Sequence, residues 1–260
     1  MSFSFPKIYP ILDSSFIPSS DRADFLLRLG TELAAAGVTL LEYRNKTGSD
    51  AEILADASVL RSVLPGPNIK LILDDRADLV DQTGFDGVHV DAGDISAVEA
   101  RKLLGPNKII GTFGGSTEFL PGTLVGPADY LAIGPVFTTT TKQTSTPPIG
   151  TEGVRRMREI AGPSRILTAA GGVTLATAPA ILAAGATAVA VSAAIFRAPH
   201  PVAEFRCWEM ELGGPNGTAK VVGSTSPVPV KLYDSQASDN QHLFNYLPQS
   251  AICWFFPTIK

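Results

Sequence analysis

Between Lys7 and Leu212 a short apolar run and a stretch of helical pattern follow one another eight times. No other feature narrows the fold as much. A short run of continuous apolar residues is the mark of a strand covered on both faces. A helix-length connection lets the next strand lie parallel to the last. The expected strands are Lys7–Leu12, Val38–Arg44, Ile69–Leu73, Asp86–Val90, Lys108–Thr112, Asp129–Gly134, Arg165–Ala170 and Thr187–Ser192. The expected helices are Asp21–Ala36, Ala51–Val63, a short one ending near Thr83, Ser96–Leu104, a weak one over Glu118–Leu124, Glu152–Ala161, Leu175–Ala184 and Pro201–Leu212.

Eight strand–helix pairs in this span match the size of an α/β protein of the (β/α)8 TIM-barrel class. A doubly wound open sheet is the rival, but no GxGxxG follows the first strand. The span Ile166–Phe196 holds no charged residue and is long enough to cross a bilayer. Gly171-Gly172, Pro179 and Gly185 divide it, so it reads as strand, loop, helix, loop and strand instead.

The barrel is expected over residues 1–212, with a C-terminal extension over 213–260. That extension scatters Gly, Pro, Ser and Asn without a sustained period, which predicts poor order. A net charge of −4 argues against a general nucleic-acid or anionic-membrane binder. It leaves room for an anionic small molecule held by a local cluster of cations. Cys207 and Cys253 form no CxxC pair and are expected as reduced thiols. The N-terminus lacks a signal-peptide pattern, which points to the cytoplasm. The sequence leaves homo-oligomerisation open.

In such a barrel the active site lies at the C-terminal ends of the strands. After the second strand, "EYRNK" sends Glu42, Arg44 and Lys46 to one side by alternation. Two converging cations suit a diphosphate. After the third and fourth strands stand "DDR" and "HVDAGD", whose carboxylates could share a hard cation such as Mg2+. His89 is expected as a hydrogen-bonding or packing residue. After the sixth strand, "GPVFTTTTK" offers hydroxyls and Lys142. After the seventh and eighth, Gly171, Gly172, Val191 and Ser192 sit where this fold repeatedly binds phosphate.

Taken in order, "YPILD", "GVTLLEYRNK", "LILDDRADLVDQTGFDGVHVDAGD", "DYLAIGPVFTTTTK", "AAGGVT" and "VSAAI" resemble the thiamine phosphate synthase family, from about Ile8 to Leu212. The resemblance implies a transferase. It joins a hydroxymethylpyrimidine diphosphate to a thiazole phosphate, with Mg2+, giving thiamine monophosphate and pyrophosphate. It assigns Arg44, Lys46 and Lys142 to the diphosphate, and Asp75 and Asp94 to the metal. Thr139, Thr141, Gly172, Val191 and Ser192 go to the thiazole phosphate. Glu42, Asp74 and Phe113 stand at substrate-contacting positions where the family usually has Gln, Asn and Ser.

Extra carboxylates near a diphosphate repel it unless they face a metal or a cation. Two other readings remain: a thiazole tautomerase-like paralogue and a non-catalytic phosphate-binding barrel. The retained cations and aspartates argue against the first, and the three departures motivate the second. Alternation makes Thr139 and Thr141 the inward pair, with Thr138 and Thr140 as loop support.

Overall fold

The computed structural model describes residues 4–91, 93–115, 120–139 and 146–213. Its elements in chain order are β1 (Ile8–Asp13), α1 (Arg22–Ala35), β2 (Leu40–Arg44), α2 (Asp50–Val63), β3 (Lys70–Asp74), α3 (Val80–Thr83), β4 (Gly87–Val90), α4 (Ala97–Leu104), β5 (Ile109–Gly115), α5 (Leu120–Leu124), β6 (Tyr130–Ile133), α6 (Gly150–Ala161), β7 (Ile166–Ala170), α7 (Ala178–Ala183), β8 (Ala188–Val191), α8 (Ala193–Phe196) and α9 (Pro201–Leu212). Each strand pairs in parallel with the next, and β8 returns to β1 to close the barrel.

Local chemistry sets the helix ends. Ser49 caps α2, whose first turn holds Asp50 and Glu52 and whose last turn holds Arg61. Ser96 and Glu99 form a capping box on α4. Helix α7 begins later than Leu175, because Thr174 and Thr177 bond to one another's backbone and hydroxyl groups in a turn ahead of Pro179. The short α8 has no counterpart among the expected elements. Ile166–Phe196 forms β7, α7, β8 and α8, and none of the described helices is long and apolar enough to cross a membrane. The extension from 214 onward, and part of the helix expected over Glu118–Leu124, lie outside the described residues.

Apolar side chains on the outer face of the strands pack against the helices in one continuous core, from Ile8 through Leu73 and Leu131 to Trp208. A smaller cluster of Tyr9, Leu40, Ile72, Tyr130 and Ala190 fills the lumen. These lumen residues fix the strand phase. On β1 and β2 the same alternation that turns Tyr9 and Leu40 inward also turns Asp13, Glu42 and Arg44 inward, nearer the C-terminal strand ends.

The opposite end of the barrel is tied by an arginine device used three times. Arg61 in α2 donates to the carbonyls of Leu64 and Ile69 and pairs with Asp86 before β4. Arg101 in α4 donates to Gly105, Lys108 and Pro127 carbonyls and to Asp129 before β6. Arg158 in α6 donates to Gly162, Arg165 and Gly185 carbonyls and to the Thr187 hydroxyl before β8. In each case the pre-strand side chain also accepts a backbone N–H from the preceding strand, namely Leu71, Ile110 or Leu167. One guanidinium thus satisfies the open carbonyls of a helix end and locks two strands in register.

Candidate active site

A cavity of about 660 Å³ opens at the C-terminal strand ends. Glu42, Arg44, Asp74, Phe113, Thr139, Gly172, Val191 and Ser192, all expected as substrate contacts, line it. Thr141 and Lys142 lie outside the described residues. Thr138 also lines the cavity, against its expected role as loop support. The chain bends at Val136 and Phe137, so the strand alternation does not extend into the threonines.

The floor is a buried polar network. The Tyr9 hydroxyl lies 2.5 Å from Glu42 Oε2 and 2.7 Å from the Tyr130 hydroxyl. Tyr130 also bonds His89 Nδ1 at 3.1 Å, and the two rings stack. His89 therefore does what the sequence suggested: it packs and hydrogen-bonds. Burial, and then the nearby Asp74 charge, push the Glu42 carboxyl well above the usual range. A neutral Glu42 removes the repulsion that an extra carboxylate here would otherwise bring.

One wall interleaves cations and carboxylates. Arg44 pairs with Asp13 and, through Nε, with Asp74 Oδ2 at 3.3 Å. Lys46 Nζ lies 3.0 Å from Asp74 Oδ2 and also bonds Asp75 Oδ2. Asp74, buried in the wall, is thus compensated by two cations. Asp13 was not singled out from the sequence. The signal for it was the same alternation, which places it inward at the end of β1. Burial works to raise its carboxyl, but the Ser15 hydroxyl and N–H together with Arg44 hold it below the usual range.

Lys46, Asp75 and Asp94 are not in the cavity lining; Lys46 connects to it through Asp74, and Asp94 through Asp91. Burial, the neighbouring carboxyl of Asp94 and the charge of Asp74 push Asp75 up to about 7, against the pull of Lys46. Asp94 also accepts the N–H of Asp91 at 2.8 Å. Carboxylate oxygens of Asp74, Asp75 and Asp91 come within 4.8 Å of one another. Asp75 Oδ1 is buried and accepts no protein hydrogen bond. Its backbone is left-handed, with φ of 66°, a conformation that costs free energy in most residues other than glycine. Crowded, incompletely satisfied hard oxygens fit a divalent cation of the Mg2+ type. Asp75, one of the two expected ligands, is in this group with Asp74 and Asp91; Asp94, the other, contacts Asp75 and the Asp91 N–H but is not in the group.

The facing wall is shaped by glycines. Gly171 and Gly172 have φ of 89° and 65°, and a Cβ on Gly172 would stand 2.5 Å from the Thr138 carbonyl oxygen. The pair lets the loop after β7 press on the loop after β6 and so places Thr138 and Thr139. Ser192 donates its hydroxyl to the Ile11 carbonyl at 2.7 Å, so that side chain ties β8 to β1.

Fold and site together define a (β/α)8 barrel whose mouth interleaves cations and carboxylates. The chain matches the thiamine monophosphate synthase family over residues 8–195. It is 40% identical over 195 residues to a thiamine-phosphate synthase of Koribacter versatilis, covering 75% of this chain and 91% of the relative. It is 40% identical over 173 residues to a thiamine-phosphate synthase of Agrobacterium fabrum, covering 65% and 79%. A solved thiamine phosphate pyrophosphorylase from Pyrococcus furiosus superposes with a TM-score of 0.69 at 26% identity, covering 80% of this chain and 95% of that one. The chain belongs to the thiamine monophosphate synthase family.

Proposed function

We propose that this protein is a thiamine-phosphate synthase. It transfers the pyrimidinylmethyl group of hydroxymethylpyrimidine diphosphate to the ring nitrogen of thiazole phosphate and releases pyrophosphate. The new C–N bond uses the nitrogen lone pair, the breaking C–O bond leaves its electrons on pyrophosphate, and no general base is required. The observation that carries the reading is the convergence of Arg44 and Lys46 with an aspartate cluster at one cavity.

Asp75 and Asp94, assisted by Asp74 and Asp91, would hold Mg2+. The ion would supply positive charge to the departing diphosphate. Arg44 is fixed from two sides by Asp13 and Asp74, so it meets the developing anion with little reorganisation. Lys46 adds a second cation, and Lys142 a third. Thr139 and Thr141, Gly172, Val191 and Ser192 would receive the thiazole phosphate. Glu42 on the floor and Phe113 would bound the pyrimidine.

Catalysis belongs to residues 1–212, with 213–260 as an extension, and its compartment is the cytoplasm. The test is to incubate the chain with both substrates and Mg2+ and follow thiamine phosphate. Product is expected only when all three are present. No product from well-folded protein would overturn the reading.

A further inference from the structure

We infer that Asn45, which does not itself line the cavity, is the residue that positions the two cations flanking it in sequence. The inference rests on the proposed reaction for its kinetic readout, and on anion binding alone for a second one.

Asn45 is buried, stands between Arg44 and Lys46 in sequence, and is not among the residues lining the cavity. Its amide oxygen accepts the N–H groups of Gly48 at 2.8 Å and Thr47 at 3.3 Å, and the Ser14 hydroxyl at 3.0 Å. Its amide nitrogen donates to the Tyr43 hydroxyl at 3.0 Å and to Glu52 Oε1 at 2.8 Å. The two backbone donors fix which end of the amide is oxygen.

One side chain therefore joins four pieces: the loop after β1, the end of β2, the loop after β2 and the first turn of α2. Ser14 adjoins Asp13, the partner of Arg44. Thr47 and Gly48 follow Lys46. The wrap is tight, since a Cβ on Gly48 would lie 2.3 Å from Asn45 Nδ2 and 2.7 Å from Glu52 Oε1. Its far side rests on a rigid anchor. Tyr43 and Asp56 are buried, the Tyr43 hydroxyl bonds Asp56, and Arg22 bonds Asp56 through Nε and Nη2. A loop carrying two charged side chains would otherwise sample many conformations, and each would place the cations differently. Asn45 makes the loop a continuation of the α1–α2 packing, which is how a supporting shell holds charged groups in a productive geometry.

The experiment uses Asn45→Ala and, independently, Gly48→Ala, which keeps the Asn45 residue but crowds its amide and so disturbs the same wrap. For each, the KM of both substrates and the affinity of inorganic pyrophosphate in the presence of Mg2+ are measured. The expected result is a rise on the order of tenfold in KM for the diphosphate substrate, a matching loss of pyrophosphate affinity, and thiazole phosphate KM within about twofold of wild type. Equal rises in both KM values, or unchanged KM and pyrophosphate affinity in folded protein, would overturn the inference. If Asn45→Ala does not fold, Gly48→Ala decides alone by the same criteria. If wild type binds pyrophosphate yet makes no thiamine phosphate, the proposed reaction fails and the pyrophosphate measurement still decides the role of Asn45.

Discussion

Asp75 leaves the C-terminal end of β3, and Asp86 leads into the N-terminal end of β4. Both are partly buried aspartates beside a lysine, yet they are treated in opposite ways. Burial works to raise Asp86, but the Leu71 N–H, Lys70 and Arg61 more than offset it and hold the carboxyl below the usual range. Burial also works to raise Asp75, and there Asp94 and Asp74 add to it, so the group rises to about 7. The difference separates the two ends of the barrel. At one end the aspartate is met by cations and a backbone N–H within the protein. The other is left incomplete, with like charges crowded and a left-handed backbone held in place, which is the usual condition of a site that waits for a ligand.

The largest expected effect is at the incomplete end. Asp94→Ala should lower turnover by about 10²-fold or more, as expected for an electrostatic contributor at a reacting centre. Its melting temperature should stay within a few degrees of wild type, because Asp94 supports little of the core. Steady-state assays with thermal melts on the same samples check this, and unchanged turnover would remove Asp94 from the site.

Next comes the opposite end. Arg158→Ala strands three carbonyls and the Thr187 hydroxyl, and each buried unmet group costs about 1–3 kcal/mol before water reaches it. Part of that cost is recovered at the surface, so urea melts should show a loss of about 2–4 kcal/mol.

The third effect is smaller and opposite in sign at the two ends. Asp86 has a depressed pKa, so its contribution is present above the ordinary carboxylate pKa and is lost as pH falls through its folded value. Asp86→Asn should therefore cost stability at pH 7, and the cost should shrink as pH falls below the ordinary carboxylate range. Asp75 has a raised pKa, so its contribution is full below the ordinary carboxylate pKa and is lost as pH rises through about 7. Without divalent cations, Asp75→Asn should melt higher than wild type at pH 8, by roughly 1 kcal/mol after allowance for solvent screening. The two enzymes should converge near pH 4. A lower melting point for Asp75→Asn at pH 8 would break the contrast.

The sequence showed the barrel clearly, because strands covered on both faces leave no polar alternation to confuse them. The bounds of Pro201–Leu212 agree with α9 because Pro201 starts the helix and Gly213 stops it. Arg44 was legible as a cavity residue because strand phase points it inward, and Asp74 and Gly172 because they stand at the C-terminal strand ends. Asn45 and the Tyr9–Tyr130 floor were not. Their roles arise from contacts between segments far apart in sequence, such as Tyr9 with Tyr130, which no local period encodes. Thr138 was misplaced because alternation was carried past a bend.

The contrast between the ends rests most directly on one paired measurement: turnover per folded molecule for Arg44→Ala and Arg158→Ala in the same thiamine phosphate assay. Arg44→Ala should lose on the order of 10²-fold with a nearly wild-type melting temperature. Arg158→Ala should melt well below wild type while keeping its turnover at a temperature where it is folded. Equal losses of turnover in both variants, or a loss confined to Arg158→Ala, would contradict the assignment of chemistry to one end and stability to the other.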